Sequence, residues 1–235
     1  MPHANPEAPS ADRPSPAVIA ETPAWRVIAK PAGWHTLART GEGADAEPTV
    51  EGWLRAHHPE HDALHEAGIV HRLDQGTSGC LVAARDAATQ ERLRAEVASS
   101  GAARKTYLAL ARGGLPDEGS FRLYFSSRHK GSRKVTVRRE GTGPECGRCR
   151  WRVAARAVDG THDVVEVELV GRGRRHQVRA GLAHLGHPLR GDALYGGVGA
   201  DGHPALHAWR VQLDDATVEC PPDGRFTIPS VPTRP

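Results

Sequence analysis

Apolar and polar positions along the chain fall into short runs separated by Gly- and Pro-bearing turns, mostly with strand-like periods. Residues 25–29, Trp-Arg-Val-Ile-Ala, predict a short strand entering a turn at Lys30-Pro31-Ala32-Gly33. Thr49 is an N-cap type, and a short helix is expected from there through Trp53 and Leu54 to His58, stopped by Pro59. Residues 80–84 are a continuous apolar run, the pattern of a buried strand. Asp86 can cap a helix reaching Ala98, with Leu93 and Val97 one turn apart and Gly101 beyond. Residues 105–111 and 120–125 predict two further strands, and 134–138 is expected to pair with 151–155 across a basic loop. Residues 163–170 alternate as a half-buried strand does. A last helix fits 177–185, with Val178, Leu182 and Leu185 on one face and Gly186 and Pro188 after it. Many strands, few helices and no regular βαβ alternation predict an α+β fold, its mixed, mainly antiparallel central sheet flanked by helices and loops.

Residues 1–17 carry five prolines and no apolar period, the composition of a disordered tail. One domain over 18–235 is expected, since this length can bury a sizeable core. No stretch nears the ~20 apolar residues that would span a bilayer, and no secretory signal pattern opens the chain. Four cysteines are too few for a disulfide scaffold at 235 residues, so a reducing cytoplasm is expected. Cys146-x-x-Cys149 lacks the second ligand pair that a closed zinc site needs, so no metal is expected. Walker A and dinucleotide fingerprints are absent too.

The net charge of +3 is unevenly spread. Residues 126–156 hold ten Lys or Arg against Glu140 and Glu145, residues 172–190 hold five Arg and no acid, and the remainder sums to −10. This is the distribution of a polyanion-binding face with an acidic back.

Three segments carry residue types suited to chemistry. His71-Arg72-Leu73-Asp74-Gln75-Gly76-Thr77-Ser78-Gly79 sets an aspartate in a turn rich in hydrogen-bond donors, which favour its ionised form. Alone, such an aspartate is as well read as a cap or Asx-turn. Gly173-Arg174-Arg175-His176-Gln177-Val178-Arg179 places positive charge at a helix start, where a phosphate or a carboxylate is favoured. Lys105-Thr106-Tyr107 puts a tyrosine on a strand.

Together these motifs resemble the RluA-type pseudouridine synthases. His71-Arg72-Leu73-Asp74-x-x-Thr77-Ser78-Gly79 is similar to that family's catalytic motif, Lys105-x-Tyr107 to its second, and Gly173-Arg174-x-His176-Gln177-Val178-Arg179 to its third. Gly186-His187-Pro188-Leu189-x-Gly191-Asp192-x-x-Tyr195-Gly196 follows, and Lys30-Pro31-Ala32-Gly33 and Leu206-His207-Ala208 match as well. The resemblance covers residues 25–212, with the motifs in the family's order. Departures are Cys80 for Leu, Arg172 for Thr, Gly181 for His, and a poor match after Leu213.

The resemblance implies an RNA pseudouridine synthase, an isomerase of specific uridines in structured ribosomal or transfer RNA. It implies Asp74 as nucleophile or base, Tyr107 against the uracil, and Arg174 as the cation that keeps Asp74 ionised. No cofactor is expected, because the isomerisation neither oxidises nor imports a group. The target base must be flipped out to reach a buried carboxylate, with Arg72 a candidate to fill the gap. His71, Lys105, Arg175, His176 and Gln177 are expected to face RNA, and Arg128, Lys130, Arg133 and Lys134 to hold phosphates. A monomer is expected, without the small N-terminal RNA-binding domain that many members carry. Two rival readings are an RNA-binding relative without activity and a hydrolase using Asp74 and His71 as an acid–base pair.

Overall fold

The computed structural model describes residues 14–38, 47–99, 103–127, 129, 131–199, 202–213, 216–226 and 230–232. Residues 1–13 of the expected tail, most of the 39–48 loop, and Arg128 and Lys130 lie outside them. The sheet begins within the span read as tail: β1 (Ala17–Glu21) pairs antiparallel with β2 (Trp25–Lys30).

Eleven strands form one mixed sheet among the described residues. Besides β1 and β2 they are β3 (Ser78–Ala84), β4 (Arg104–Arg112), β5 (Glu118–Ser127), β6 (Val135–Arg138), β7 (Cys146–Ala157), β8 (His162–Leu169), β9 (Leu206–Leu213), β10 (Ala216–Glu219) and β11 (Ser230–Pro232). The main path runs β1-β2-β3-β9-β4-β8-β7-β5-β6, with β10 on β9 and β11 on β7. Only β3 and β9 run parallel, Ser78 opposite His207 and Gly79 opposite Ala208. The α-helices of the described residues are α1 (Val50–His57), α2 (Ala87–Ala98) and α3 (Gln177–His184).

Thr49 and Asp86 cap α1 and α2 as expected, accepting from the amides of Gly52 and Thr89. The apolar run of β3 is explained by burial on both faces. Leu81 and Ala83 join one core with Ile28, Leu54, Tyr107 and Leu182, while Cys80 and Val82 join a second with Trp25 and Leu93.

The expected pairing of 134–138 with 151–155 is not formed. β6 pairs with β5, and β7 pairs with β5 and β8. The reason is length and register: β7 starts at Cys146, and its buried Gly147, Cys149 and Trp151 match the apolar face of β5, with Phe121 opposite Cys149. On a strand, residues three apart point to opposite faces. Cys149 is accordingly buried in the core while Cys146 is half-exposed on the other side.

α3 packs closely on β5. A side-chain carbon at Gly181 would lie 2.4 Å from the Phe121 ring. Glycine at this position is what lets helix and sheet approach. No helix of the described residues is long and apolar enough to cross a membrane.

Candidate active site

The Asp74 turn is a short lead-in to β3, held from several sides. Val70 donates to the carbonyl of Val82, which pairs the entering chain with β3, and the Thr77 amide closes the turn on the Asp74 carbonyl at 2.9 Å. Thr36 clamps Leu73 through both its amide and its carbonyl. The buried Lys30 ammonium donates to the carbonyls of Pro31, Trp34 and Gln75, tying the Lys-Pro-Ala-Gly turn to the residue after Asp74. Burial brings the Lys30 ammonium down to about 7, against the opposing pull of Asp74. At the end of the turn Gly79 has φ +108, and an added carbon there would meet the Ala208 carbonyl at 2.2 Å. Only glycine permits that crossing of β3 and β9.

The Asp74 carboxylate is one-quarter exposed and faces Arg179 of α3, with Oδ2 at 3.3 Å from Nη1. Arg179 is itself buried and makes two charge-assisted bonds to Asp192, Nε to Oδ2 at 2.7 Å and Nη2 to Oδ1 at 2.9 Å. Burial opposes the Arg179 charge, but Asp192 and Asp74 together raise its pKa. A guanidinium fixed this way stabilises an anion at position 74 without reorganising.

This corrects the expectation for Arg174. Its Nε donates to the Cys146 carbonyl at 2.8 Å, and its side chain lines a separate pocket. Arg174 sits in the loop before α3, whereas Arg179 lies within the first turn of the helix, whose residues from Gln177 to Leu182 are all buried. A charged residue inside a buried helical run must have a buried counter-ion. Asp192 is that counter-ion for Arg179, a pairing that motif spacing alone does not give.

His176 precedes α3 in the left-handed region, φ 55°, which is uncommon for a residue with a side chain. The conformation brings Nδ1 to the Tyr195 hydroxyl at 2.8 Å and Nε2 to 3.8 Å from Asp74 Oδ2. Desolvation depresses the His176 pKa against the raising influence of Asp74. Tyr195, also unanticipated, accepts from the Val135 amide and carries the Lys134 ammonium and the Arg179 guanidinium over its ring at 5.2 and 5.5 Å.

Tyr107 is buried on β4, where the register with β9 slips by one so that Ala208 and Trp209 both oppose it. Burial raises its hydroxyl pKa, and the Asp74 charge raises it further. The Lys105 side chain is buried and makes no hydrogen bond among the described residues; burial lowers its ammonium to about 8. His71 accepts from the Val82 amide at 3.4 Å, and desolvation takes its pKa to about 3.

The remaining expected RNA contacts divide. Arg72, Arg133 and Lys134 are exposed. Arg175 is exposed, but its guanidinium holds the carbonyls of Ser132 and Arg133 and so fixes the basic loop. Gln177 is not at the surface: its amide bonds the Arg148 carbonyl and Cys149 Sγ, and its carbonyl takes the Arg174 amide. A side chain so saturated and buried braces the loop and cannot face RNA.

The segment after Leu213 also reaches the site. Arg225 donates to the carbonyls of Gly76 and Pro204 and to Ser78 Oγ, and Ser78 bonds His207, which in turn bonds the Cys220 carbonyl. The back of the Asp74 turn is thus sealed by the part of the chain that least resembles the family.

Residues 25–184 match the family model described as RNA pseudouridylate synthase. A ribosomal large subunit pseudouridine synthase D of Xylella fastidiosa is 38% identical over 136 residues, covering 57% of this chain and 39% of that protein. The protein of the same name in Nitrosomonas europaea is 31% identical over 175 residues, covering 70% and 49%. The chain thus aligns with less than half the length of these relatives. The solved structure of human RNA pseudouridylate synthase domain containing 4 shares the fold, with a TM-score of 0.68 at 19% identity over 89% of each chain. Motifs, architecture and the match over residues 25–184 agree: the chain belongs to the RNA pseudouridylate synthase family.

Proposed function

We propose that this protein isomerises uridine to pseudouridine in structured RNA, with Asp74 as the catalytic carboxylate. The observation that carries the reading is a partly exposed carboxylate held at 3.3 Å by a buried arginine, beside the buried Tyr107. The reaction breaks the C1′–N1 bond, turns the base and joins C1′ to C5; the C5 hydrogen leaves as a proton and N1 gains one. An ionised carboxylate serves either as nucleophile at C1′ or as base toward the ribose. Arg179 faces it at 3.3 Å, and Tyr107 offers the uracil an aromatic face. Atoms and electrons balance with no cofactor.

The base leaves its stack at a cost of a few kcal/mol. Arg72, exposed and two residues from Asp74 in the chain, is the candidate to fill the gap. The relatives' names make ribosomal RNA the first substrate to test; transfer RNA is the alternative. Four free thiols suit a cytoplasmic site of action, and the exposed large apolar residues Ile19, Val158, Leu185 and Val198 are scattered as on a monomer.

The hydrolase reading loses support, because the Nε2 lone pair of His71 already accepts the Val82 amide and burial disfavours the protonated ring. Simple RNA binding does not account for a buried arginine and aspartate arranged behind a carboxylate. RNA carrying 5-tritiated uridine tests the proposal. The protein should release tritium without cutting the chain, and Asp74→Asn should stop release while RNA still binds. Equal release by Asp74→Asn, or chain cleavage by the wild type, would overturn it.

A further inference from the structure

Arg179 alone leaves the orientation of the Asp74 carboxylate under-determined. Its Nε and Nη2 are taken by Asp192 at 2.7 and 2.9 Å, so only Nη1 is turned to Asp74, where it meets Oδ2 at 3.3 Å. One long bond to one oxygen still permits rotation about Cβ–Cγ. The imidazole of His176 approaches the same oxygen, with Nε2 at 3.8 Å from Oδ2. Among the described residues no hydrogen bond reaches Oδ1. Both contacts are therefore gathered on one side of the carboxylate.

Which nitrogen of His176 carries the hydrogen decides whether that approach is attractive. Nδ1 lies 2.8 Å from the Tyr195 hydroxyl, and the hydroxyl oxygen already accepts the Val135 amide at 3.0 Å. With that acceptor position filled, the phenolic hydrogen is directed at Nδ1. Nδ1 is then the lone-pair nitrogen, and the ring hydrogen sits on Nε2. The reverse tautomer would set an Nε2 lone pair against the carboxylate and leave the phenolic hydrogen without an acceptor among the described residues. Protonation of the whole ring is disfavoured by burial, and Arg179 and Arg175 add to that effect against the pull of Asp74 and Asp192. The ring is also held from outside the site, meeting the Tyr195 ring edge to face at 5.6 Å. Its backbone is left-handed, φ 55° and ψ 22°, a conformation that a side chain disfavours and that the surrounding contacts must hold. With 12% of its side chain exposed and both nitrogens committed, His176 acts on Asp74 rather than outwards.

We propose that His176 is a positioning residue: its Nε2–H, together with Nη1 of Arg179, holds Oδ2 of Asp74 and leaves Oδ1 to the ribose of the target nucleotide. This rests on the isomerase reading for the identity of the reacting group, whereas the grip on Oδ2 stands without it. A shortening of about 0.6 Å turns the approach of Nε2 into a hydrogen bond, and contacts of this kind tighten when substrate is bound. A carboxylate gripped by one oxygen acts through the other, as nucleophile or as base, without first searching orientations. His176 touches neither base nor ribose in this scheme, so its effect belongs to kcat.

Two measurements test this. Imidazole proton–nitrogen correlation spectra of the isotopically labelled wild type at neutral pH report the tautomer, with His176 assigned through its own backbone resonances. Nε2–H is expected; Nδ1–H overturns the proposal, and no variant has to fold for that result. Tritium release from RNA carrying 5-tritiated uridine gives the rate. His176→Phe keeps a ring against Tyr195 and removes both nitrogens. Its kcat should fall about 10- to 100-fold, the worth of one charge-assisted hydrogen bond, while KM for RNA stays within about twofold. His176→Gln, whose amide offers an N–H near the place of Nε2, should recover part of that loss. An undiminished kcat in His176→Phe overturns the proposal, as does a loss confined to KM or one that His176→Gln does not repair at all. A wild type that releases no tritium yet shows the Nε2–H tautomer sinks the isomerase reading and leaves the grip on Oδ2 in place. The opposite pair of results sinks only the positioning role.

Discussion

Arg179 and Arg174 lie five positions apart in one motif, yet one meets the carboxylate and the other a backbone carbonyl. Asp74 and Tyr107 were legible because their motifs specify residue types. Which arginine answers the acid was not, because that depends on the helix phase after His176, and a left-handed residue at a helix start leaves no mark in apolar periodicity. Lys105 shows what burial does to a charge with no counter-ion. Its pKa falls from 10.5 to about 8, so the unfolded chain binds more protons between those values and stability rises with pH across that window. From pH 7.5 to 9.5 this single group should add about 2 kcal/mol. Denaturant unfolding of wild type and Lys105→Met at both pH values checks it: the variant should lack that increment, and equal pH dependence would mean that Lys105 is solvated.

At the scale of elements, the expected strands and helices lie where the apolar pattern put them, but β1, β9, β10 and β11 were not expected and the strand partners were not legible. Residues 134–138 and 151–155 both read as strands, and both are, but which strand each joins is set by a register match between β5 and the first half of β7. That half reads as a basic loop because its outward positions are Arg148 and Arg150 and its inward ones are Gly147 and Cys149. Between β6 and α3, Tyr195 acts as a joint: its hydroxyl meets the Val135 amide at 3.0 Å and His176 Nδ1 at 2.8 Å. Tyr195→Phe should cost about 1 kcal/mol and lower the melting temperature by about 2–4 °C. It should also reduce kcat more than it raises KM, since the loss frees His176 beside Asp74. A variant with full kcat would reduce Tyr195 to a packing residue.

The whole molecule brings together stretches that are far apart in sequence. The mixed, mainly antiparallel sheet was expected, but the closing role of the last segment was not, because residues after Leu213 carry no family-like pattern. Arg225 nonetheless holds Gly76, Ser78 and Pro204 at once. Arg225→Gln should therefore lower kcat with little change in KM for RNA. Arg225→Lys, which keeps a donor, should recover part of it; a fall confined to KM would count against this positioning role. The parallel contact of β3 with β9 joins Ser78 to His207, 129 residues apart. Contacts of such separation form late, because the intervening chain must first be ordered. On the ribosome, then, a nascent chain can complete the β1–β3 hairpins early while its acid still lacks both the arginine of α3 and the backing strand. The site as proposed is therefore complete only once the segment that carries β9 and Arg225 has joined the turn around Asp74.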